Sequence, residues 1–312
     1  MKYSFVLLLI SVLFSCTPDV IENTPNYFIS TFAFDTLDIS SRYDSVYFEC
    51  DSVIPINEAS GGIASNKFKG DFWTINDSGN EPLLFLIDGT TGVLKLQLNL
   101  QGTKNLDWES LDSYVDDSGT SKIVVCDFGD NFEVRPFVTA YIFEEPSASV
   151  IDTNILDQSY FPSKLDSVKF TYETGPKDVE AFFVDPISND WYFISKREPN
   201  NRLYKLEEPG AIAIDTAILV GEFPFYMTTA ADCKKLSNNS YPIIIKNYER
   251  VMYWERSNNQ SVEQALSELP ELIPYGQREP QGEAIWFWPN GDVGTCSEWK
   301  GEKPKPRRYI RL

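Results

Sequence analysis

Beyond about residue 40 the chain is cut into short runs of β-branched, aromatic and leucine residues, some alternating with polar positions and some unbroken. Gly, Pro, Asn and Asp separate them. Runs of this kind bounded by turn formers predict β-strands. Only 261–269 carries helical spacing, with Val262, Ala265, Leu266 and Leu269 on one face behind Ser261 as a cap. The chain is therefore expected to be all-β, as a sandwich, a barrel or a propeller.

An internal repeat chooses among these. Glu58-Ala59-Ser60, Glu109-Ser110-Leu111, Glu180-Ala181-Phe182, Asp232-Cys233 and Glu283-Ala284-Ile285 align on an acidic residue, at intervals of 51, 71, 52 and 51 residues. The longer interval is explained by a polar insert around 147–164. A second strand-like run follows each acidic residue, at 71–75, 122–126, 190–194, 241–245 and 292–296. Third runs lie at 83–87, 138–143, 202–206, 251–254 and 308–312, and fourth runs at 93–100, 168–172, 217–223 and 272–275. Four strands in about 50 residues is the arithmetic of a propeller blade. The last copy lacks its fourth strand, while an orphan strand at 45–50 precedes the first copy. The expectation is a β-propeller of five four-stranded blades, closed by the N-terminal strand so that no edge is left open. A sixth blade would need strands hidden in 28–44 and 147–164.

The N-terminus adds compartment. Met1-Lys2, an apolar run over 5–14 and then Leu13-Phe14-Ser15-Cys16 have the order of a processed signal. The run is too short for a bilayer, which needs about 20 residues. The last four resemble a lipobox, which implies acylation of Cys16 and a lipid anchor. The expected organisation is a signal peptide at 1–15, a lipidated cysteine and tether at 16–30, and one propeller at 31–312. Thr17 beside Cys16 gives no acidic retention signal, so the outer membrane is the expected location. Cys50, Cys126, Cys233 and Cys296 lie inside apolar runs without CxxC spacing; buried thiols are expected, and an even count in an exported chain leaves disulfides open.

Charge and composition then narrow the chemistry. The chain has 27 Lys+Arg against 46 Asp+Glu, a net charge of −19, and no histidine. Histidine-dependent triads, histidine bases and HExxH zinc sites are excluded. A nucleic-acid partner is not expected, because phosphate binding requires a basic face. If the acidic residue opens the innermost strand of each blade, then Glu58, Glu109, Glu180, Asp232 and Glu283 crowd one channel mouth. Asp107 and Asp178 share a face with two of them. The second strands also end in polar residues, among them Asn76, Asp77, Asp127, Lys196, Asn247 and Glu298. So many carboxylates must be protonated, paired or bridged by a cation. Oxygen-only ligation points to Ca2+ at Glu58, Glu109, Glu180, Asp232 and Glu283. The alternative is that they serve as hydrogen-bonded rivets between blades. Trp108, between Asp107 and Glu109, is a candidate stacking surface for a sugar.

The phrases Glu58-Ala59-Ser60-Gly61-Gly62, Trp73-Thr74-Ile75-Asn76-Asp77-Ser78-Gly79, Asp107-Trp108-Glu109, Asp127-Phe128-Gly129-Asp130-Asn131 and Asp178-Val179-Glu180-Ala181 resemble propeller lipoproteins of the Bacteroidetes type. These are similar in turn to the SdiA-regulated and esterase-like phytase propellers. The resemblance spans about 53–300 and implies the fold more than an activity. Two departures stand out: the channel histidines of lactonase propellers and the Lys/Arg cluster of phytases are missing. The first expectation is a membrane-anchored propeller that binds a small molecule, glycan or protein at its acidic mouth without turnover. The alternative is a calcium-dependent hydrolase of phosphoesters, lactones or glycosides using Glu109 and Glu180, with a carboxylate-pair glycosidase as its metal-free variant.

Overall fold

The computed structural model describes residues 25–312 except 53, 302 and 304. The signal, Cys16 and most of the tether lie outside the described residues. Two strands precede the repeats, β1 (Phe28–Ile29) and β2 (Tyr43–Glu49), with a 3-10 turn at Phe34–Thr36 between them. The first repeat is β3 (Ala59–Ala64), β4 (Asp71–Asn76), β5 (Leu83–Asp88) and β6 (Leu94–Leu100). The second is β7 (Trp108–Val115), β8 (Ser121–Asp127) and β9 (Val138–Glu144), then, after the insert strand β10 (Asp157–Tyr160), β11 (Leu165–Tyr172). The third is β12 (Val179–Val184), β13 (Trp191–Ser195), β14 (Arg202–Leu206) and β15 (Asp215–Glu222). The fourth is β16 (Thr228–Cys233), β17 (Ile243–Asn247), β18 (Val251–Trp254) and, after helix α1 (Val262–Leu266), β19 (Glu271–Leu272). The fifth is β20 (Gly282–Phe287), β21 (Val293–Ser297) and β22 (Arg307–Arg311).

Each repeat pairs as an antiparallel meander, and β2 adds antiparallel to β22, with Tyr47 opposite Tyr309 and Phe48 opposite Arg308. The orphan strand therefore fills the fourth place of the last meander. The first strands touch in a closed cycle, β3 to β7 to β12 to β16 to β20 and back to β3. This is the arrangement of a β-propeller, whose innermost strands line a central channel.

The insert does not build a separate meander. Its strand β10 lies parallel on the outer edge of β6, with Tyr160 opposite Leu100. In the same way β1 lies parallel on β15, and Ser30 donates to the carbonyls of Glu222 and Leu266. Residues 28–30, expected in the tether, thus belong to the folded part. Helix α1 has the expected Ser261 cap, with Gln264 completing a capping box. It ends at Leu266, so Leu269 lies beyond it and is 68% exposed.

The apolar pattern follows from burial on both faces. In β13, Trp191 and Phe193 pack toward the second meander, while Tyr192 and Ile194 pack toward the fourth. Five clusters of buried side chains lie between neighbouring meanders in this way, which is why strands read as unbroken apolar runs. At the junction of first and last meanders Trp286 stacks on Phe72, with ring centroids 4.5 Å apart. A Cβ on Gly62 would fall 2.6 Å from the Trp286 ring and one on Gly294 2.2 Å from it, so both glycines make room for the indole. Cys50, Cys126, Cys233 and Cys296 are free and buried, each a small apolar filler.

Candidate functional site

The channel mouth is built where first strands begin and second strands end. Each first strand carries a β-bulge near its start, and the bulge decides which side chain enters the channel. The register shifts between Trp108 and Ser110, between Val179 and Ala181, and between Gly282 and Ala284, leaving Glu109, Glu180 and Glu283 as the extra residues. All three are at least nine-tenths buried.

Two repeats differ from the expectation. In the fourth the shift lies between Thr228 and Ala230, so the counterpart is Thr229, not Asp232. Thr229 Oγ1 donates to the Gly282 carbonyl at 2.8 Å. Asp232, three residues further along β16, accepts the Phe287 N–H at 2.6 Å and ties the fourth meander to the fifth. Asp112 does the same for the Val184 N–H at 2.7 Å. Asp232 is thus a rivet and not a member of the carboxylate group. In the first repeat the shift lies between Ser60 and Gly62, and Glu58 precedes the strand. Glu58 is exposed at the rim and accepts from Asn80 Nδ2 at 2.7 Å.

The carboxylates of Asp77, Asp107 and Glu109 offer oxygen atoms within 4.8 Å of one another. Gly129, in the loop after β8, closes against them. A Cβ there would lie 2.5 Å from Asp107 Oδ2 and 2.6 Å from Glu109 Oε1, so only glycine leaves this space. Asp107 Oδ1 is buried without a hydrogen-bond partner. Burial, then the charges of Asp77 and Asp178, push the Asp107 carboxyl up to about 6. Burial, then Glu180, Asp77 and Asp107, hold Glu109 well above the usual carboxylate range. The group is short of positive charge.

The neighbouring carboxylates, by contrast, are engaged. Lys196 donates to Glu180. Burial would lower the Lys196 ammonium, but Glu180 and Glu283 outweigh it and raise its pKa. Glu283 accepts from the Tyr248 hydroxyl at 2.5 Å, and Glu298 from Gln281 Nε2. Burial, then Glu283 and Asp77, push Glu298 up to about 8.

Other expected site residues hold the frame. Asp127 pairs with Arg135 at 2.9 Å and accepts the N–H groups of Leu106 and Asp107, fixing the entry to β7. Asp178 accepts from Arg197 Nε at 2.5 Å and from the Asp130 N–H at 3.2 Å. Asn247 accepts the N–H groups of Glu249 and Arg250 and shapes their turn. Asn76 is buried at the end of β4, beside Asp77, with its side-chain oxygen unpartnered. Trp108 is fully buried and donates its indole N–H to the Lys104 carbonyl at 2.9 Å, so it presents no face to a sugar.

Several contributors were not anticipated. Tyr248 and the buried Glu279, which accepts from Tyr275 and Thr295 and lies 3.6 Å from Lys246, come from loops with no repeat signal. Gly129 was visible only as one glycine in a polar loop.

No described protein family matches the sequence, and no curated protein matches it. Solved structures with a similar course of chain include the β-propeller domain of Cps50 (Swd1) from Myceliophteria thermophila, at 10% identity and a TM-score of 0.42, over 86% of this chain and 100% of that one. They also include regucalcin, a calcium-binding protein from Agrobacterium tumefaciens, at 12% identity and a TM-score of 0.40, over 88% and 95%. An auxiliary nutrient binding protein from Bacteroides thetaiotaomicron matches at 11% identity and a TM-score of 0.38, over 91% of this chain and 63% of that one. These likenesses assign no chemistry to this chain.

Proposed function

We propose that the chain is an exported, lipid-anchored, five-bladed propeller of the SdiA-regulated and phytase-like group that binds a ligand at its channel mouth around a calcium ion. The observation that carries the reading is the meeting of oxygen atoms of Asp77, Asp107 and Glu109 within 4.8 Å, with Asp107 Oδ1 buried and lacking a hydrogen-bond partner. An oxygen-only donor set beside a glycine cradle fits a hard cation. Asp77, Asp107 and Glu109 would hold it, and the bound ion would supply a Lewis-acidic anchor for ligand oxygens.

Binding without turnover is favoured over hydrolysis. Glu180, the expected partner of Glu109, is committed to Lys196. Thermal melts of metal-stripped protein test the reading. Calcium at about 100 times its Kd is expected to stabilise by about 2.7 kcal/mol, several degrees in midpoint, and EDTA to reverse it. A midpoint indifferent to both would remove the cation from the site. Calcium-dependent turnover of a phosphoester, lactone or glycoside, lost in Glu109→Gln, would move the reading to a hydrolase.

A further inference from the structure

Beside the acidic mouth lies a cavity of about 470 Å³ that none of the Asp77, Asp107 and Glu109 carboxylates lines. Its apolar wall is Phe225, with Phe34 of the 3-10 turn packed at a centroid distance of 6.2 Å. The facing wall is Tyr248, whose hydroxyl bonds Glu283 in the channel and whose ring lies 5.3 Å from the Lys196 ammonium. Cavity and channel therefore share one tyrosine.

Two features mark the cavity as more than a surface fold. Met227 holds a left-handed φ of 59°, strained for a non-glycine residue, and its N–H donates to the Lys196 carbonyl at 2.9 Å. Next to it Tyr226 stands 61% exposed at the cavity edge. The second feature is charge. In a chain of net charge −19 the guanidiniums of Arg250 and Arg278 both line this cavity. Arg250 is held over the Phe34 ring at 4.3 Å, and Asn247 fixes the turn that carries it. Among the described residues their one carboxylate partner is Glu249, 2.9 Å from Arg250 and 3.9 Å from Arg278, with its side chain 58% exposed. Exposed pairs of this kind are weak, about 0–1 kcal/mol. Glu249 stands where a ligand's anionic group could bind both guanidiniums and is readily displaced.

We propose that this cavity is a subsite for an acidic sugar residue, a pyranose bearing a carboxylate or sulfate. Arg250 and Arg278 take the anionic group in place of Glu249, and Tyr226 and Tyr248 take the ring face. Phenol and amide edges around an aromatic wall suit hydroxyls on an apolar ring better than an all-apolar anion. The subsite deepens the ligand-binding reading and does not depend on the calcium ion.

Calorimetric titration of the full chain with trigalacturonate, a sulfated chondroitin tetrasaccharide and neutral cellotriose tests it. At least one acidic sugar is expected to bind and the neutral one not, with the first two arms telling carboxylate from sulfate. Arg278→Ala and Tyr226→Ala change exposed side chains, so the fold is retained. Arg278→Ala is expected to weaken binding about tenfold or more, from loss of a charge-assisted contact. Glu249→Gln removes the internal competitor and is expected to tighten binding about threefold, the reverse of a structural role. Failure of both acidic sugars to bind, equal binding of cellotriose, or weaker binding by Glu249→Gln would overturn the proposal. Repeating the titration in EDTA separates it from the cation. Sugar binding without a calcium-dependent melt leaves the subsite and refutes the cation, while a calcium-dependent melt without sugar binding does the opposite.

Discussion

Glu298→Gln should stabilise the metal-free protein, increasingly as the pH rises above about 4.5. The folded chain raises this carboxyl from 4.5 to about 8, through burial first and then the charges of Glu283 and Asp77. At about 1.36 kcal/mol per pKa unit the shift corresponds to about 5 kcal/mol if none were screened. Glu298 is partly exposed, and allowing for solvent screening leaves about 2 kcal/mol. Below pH 4.5 the group is protonated in both folded and unfolded chains and contributes nothing. Between 4.5 and about 8 the unfolded chain releases a proton that the folded chain keeps, so stability falls as pH rises. Above about 8 the full penalty is present. Glutamine carries no charge in either state and removes this slope, while remaining able to bond Gln281. The assay is urea unfolding in EDTA at a series of pH values from about 4.5 to 9. Wild type and variant should coincide at the acid end, and the variant should lead by about 2 kcal/mol at the alkaline end, seen as a higher urea midpoint at unchanged m. A difference that does not change with pH, or a wild type that is more stable at pH 9, would refute the electrostatic account of the channel mouth.

Two further substitutions separate the cation group from its frame, and a third tests the lipid anchor. Gly129→Ala places a methyl 2.5 Å from Asp107 Oδ2 and 2.6 Å from Glu109 Oε1. It is expected to abolish the calcium-dependent rise in melting temperature, and an unchanged rise would show that the ion does not sit there. Asp232→Ala strands the buried Phe287 N–H and should cost about 1–3 kcal/mol in urea unfolding. Its calcium response should be intact, and loss of that response would return Asp232 to the site. Cys16→Ser is expected to release the protein from the membrane fraction; continued sedimentation with membranes would argue against the lipid anchor.

Strand order and the closing role of the N-terminal strand were legible because they rest on composition along each run. Two-sided burial forces apolar continuity in strands such as Trp191-Tyr192-Phe193-Ile194-Ser195, and turn formers punctuate them. The channel was legible only where residue identity and strand register agree. Glu109, Glu180 and Glu283 satisfy both conditions. Asp232 satisfies the first, since it is acidic, precedes a small apolar residue and falls at the repeat interval. The β-bulge at Thr229, however, turns it toward the Phe287 N–H. A one-residue displacement in a strand exchanges its two faces, and a bulge's position is set by pairing that a single chain does not display. Glu58 fails for the same reason in the opposite direction, since the first bulge lies at Gly61, three residues later, and leaves Glu58 ahead of the strand at the rim.

The same distinction explains why the aromatic candidate was misplaced. Trp108 is adjacent in sequence to two of the three clustered carboxylates, yet in a strand adjacent side chains point to opposite faces. Because Asp107 and Glu109 turn into the channel, Trp108 must turn into the core, where its indole N–H finds the Lys104 carbonyl. The aromatic surface available to a ligand comes instead from Tyr226 and Tyr248, on loops that no repeat constrains. The propeller's repeated strands concentrate negative charge at the axis. Its unrepeated loops supply the arginines and tyrosines beside it, and this asymmetry gives an acidic protein a place to receive an anion.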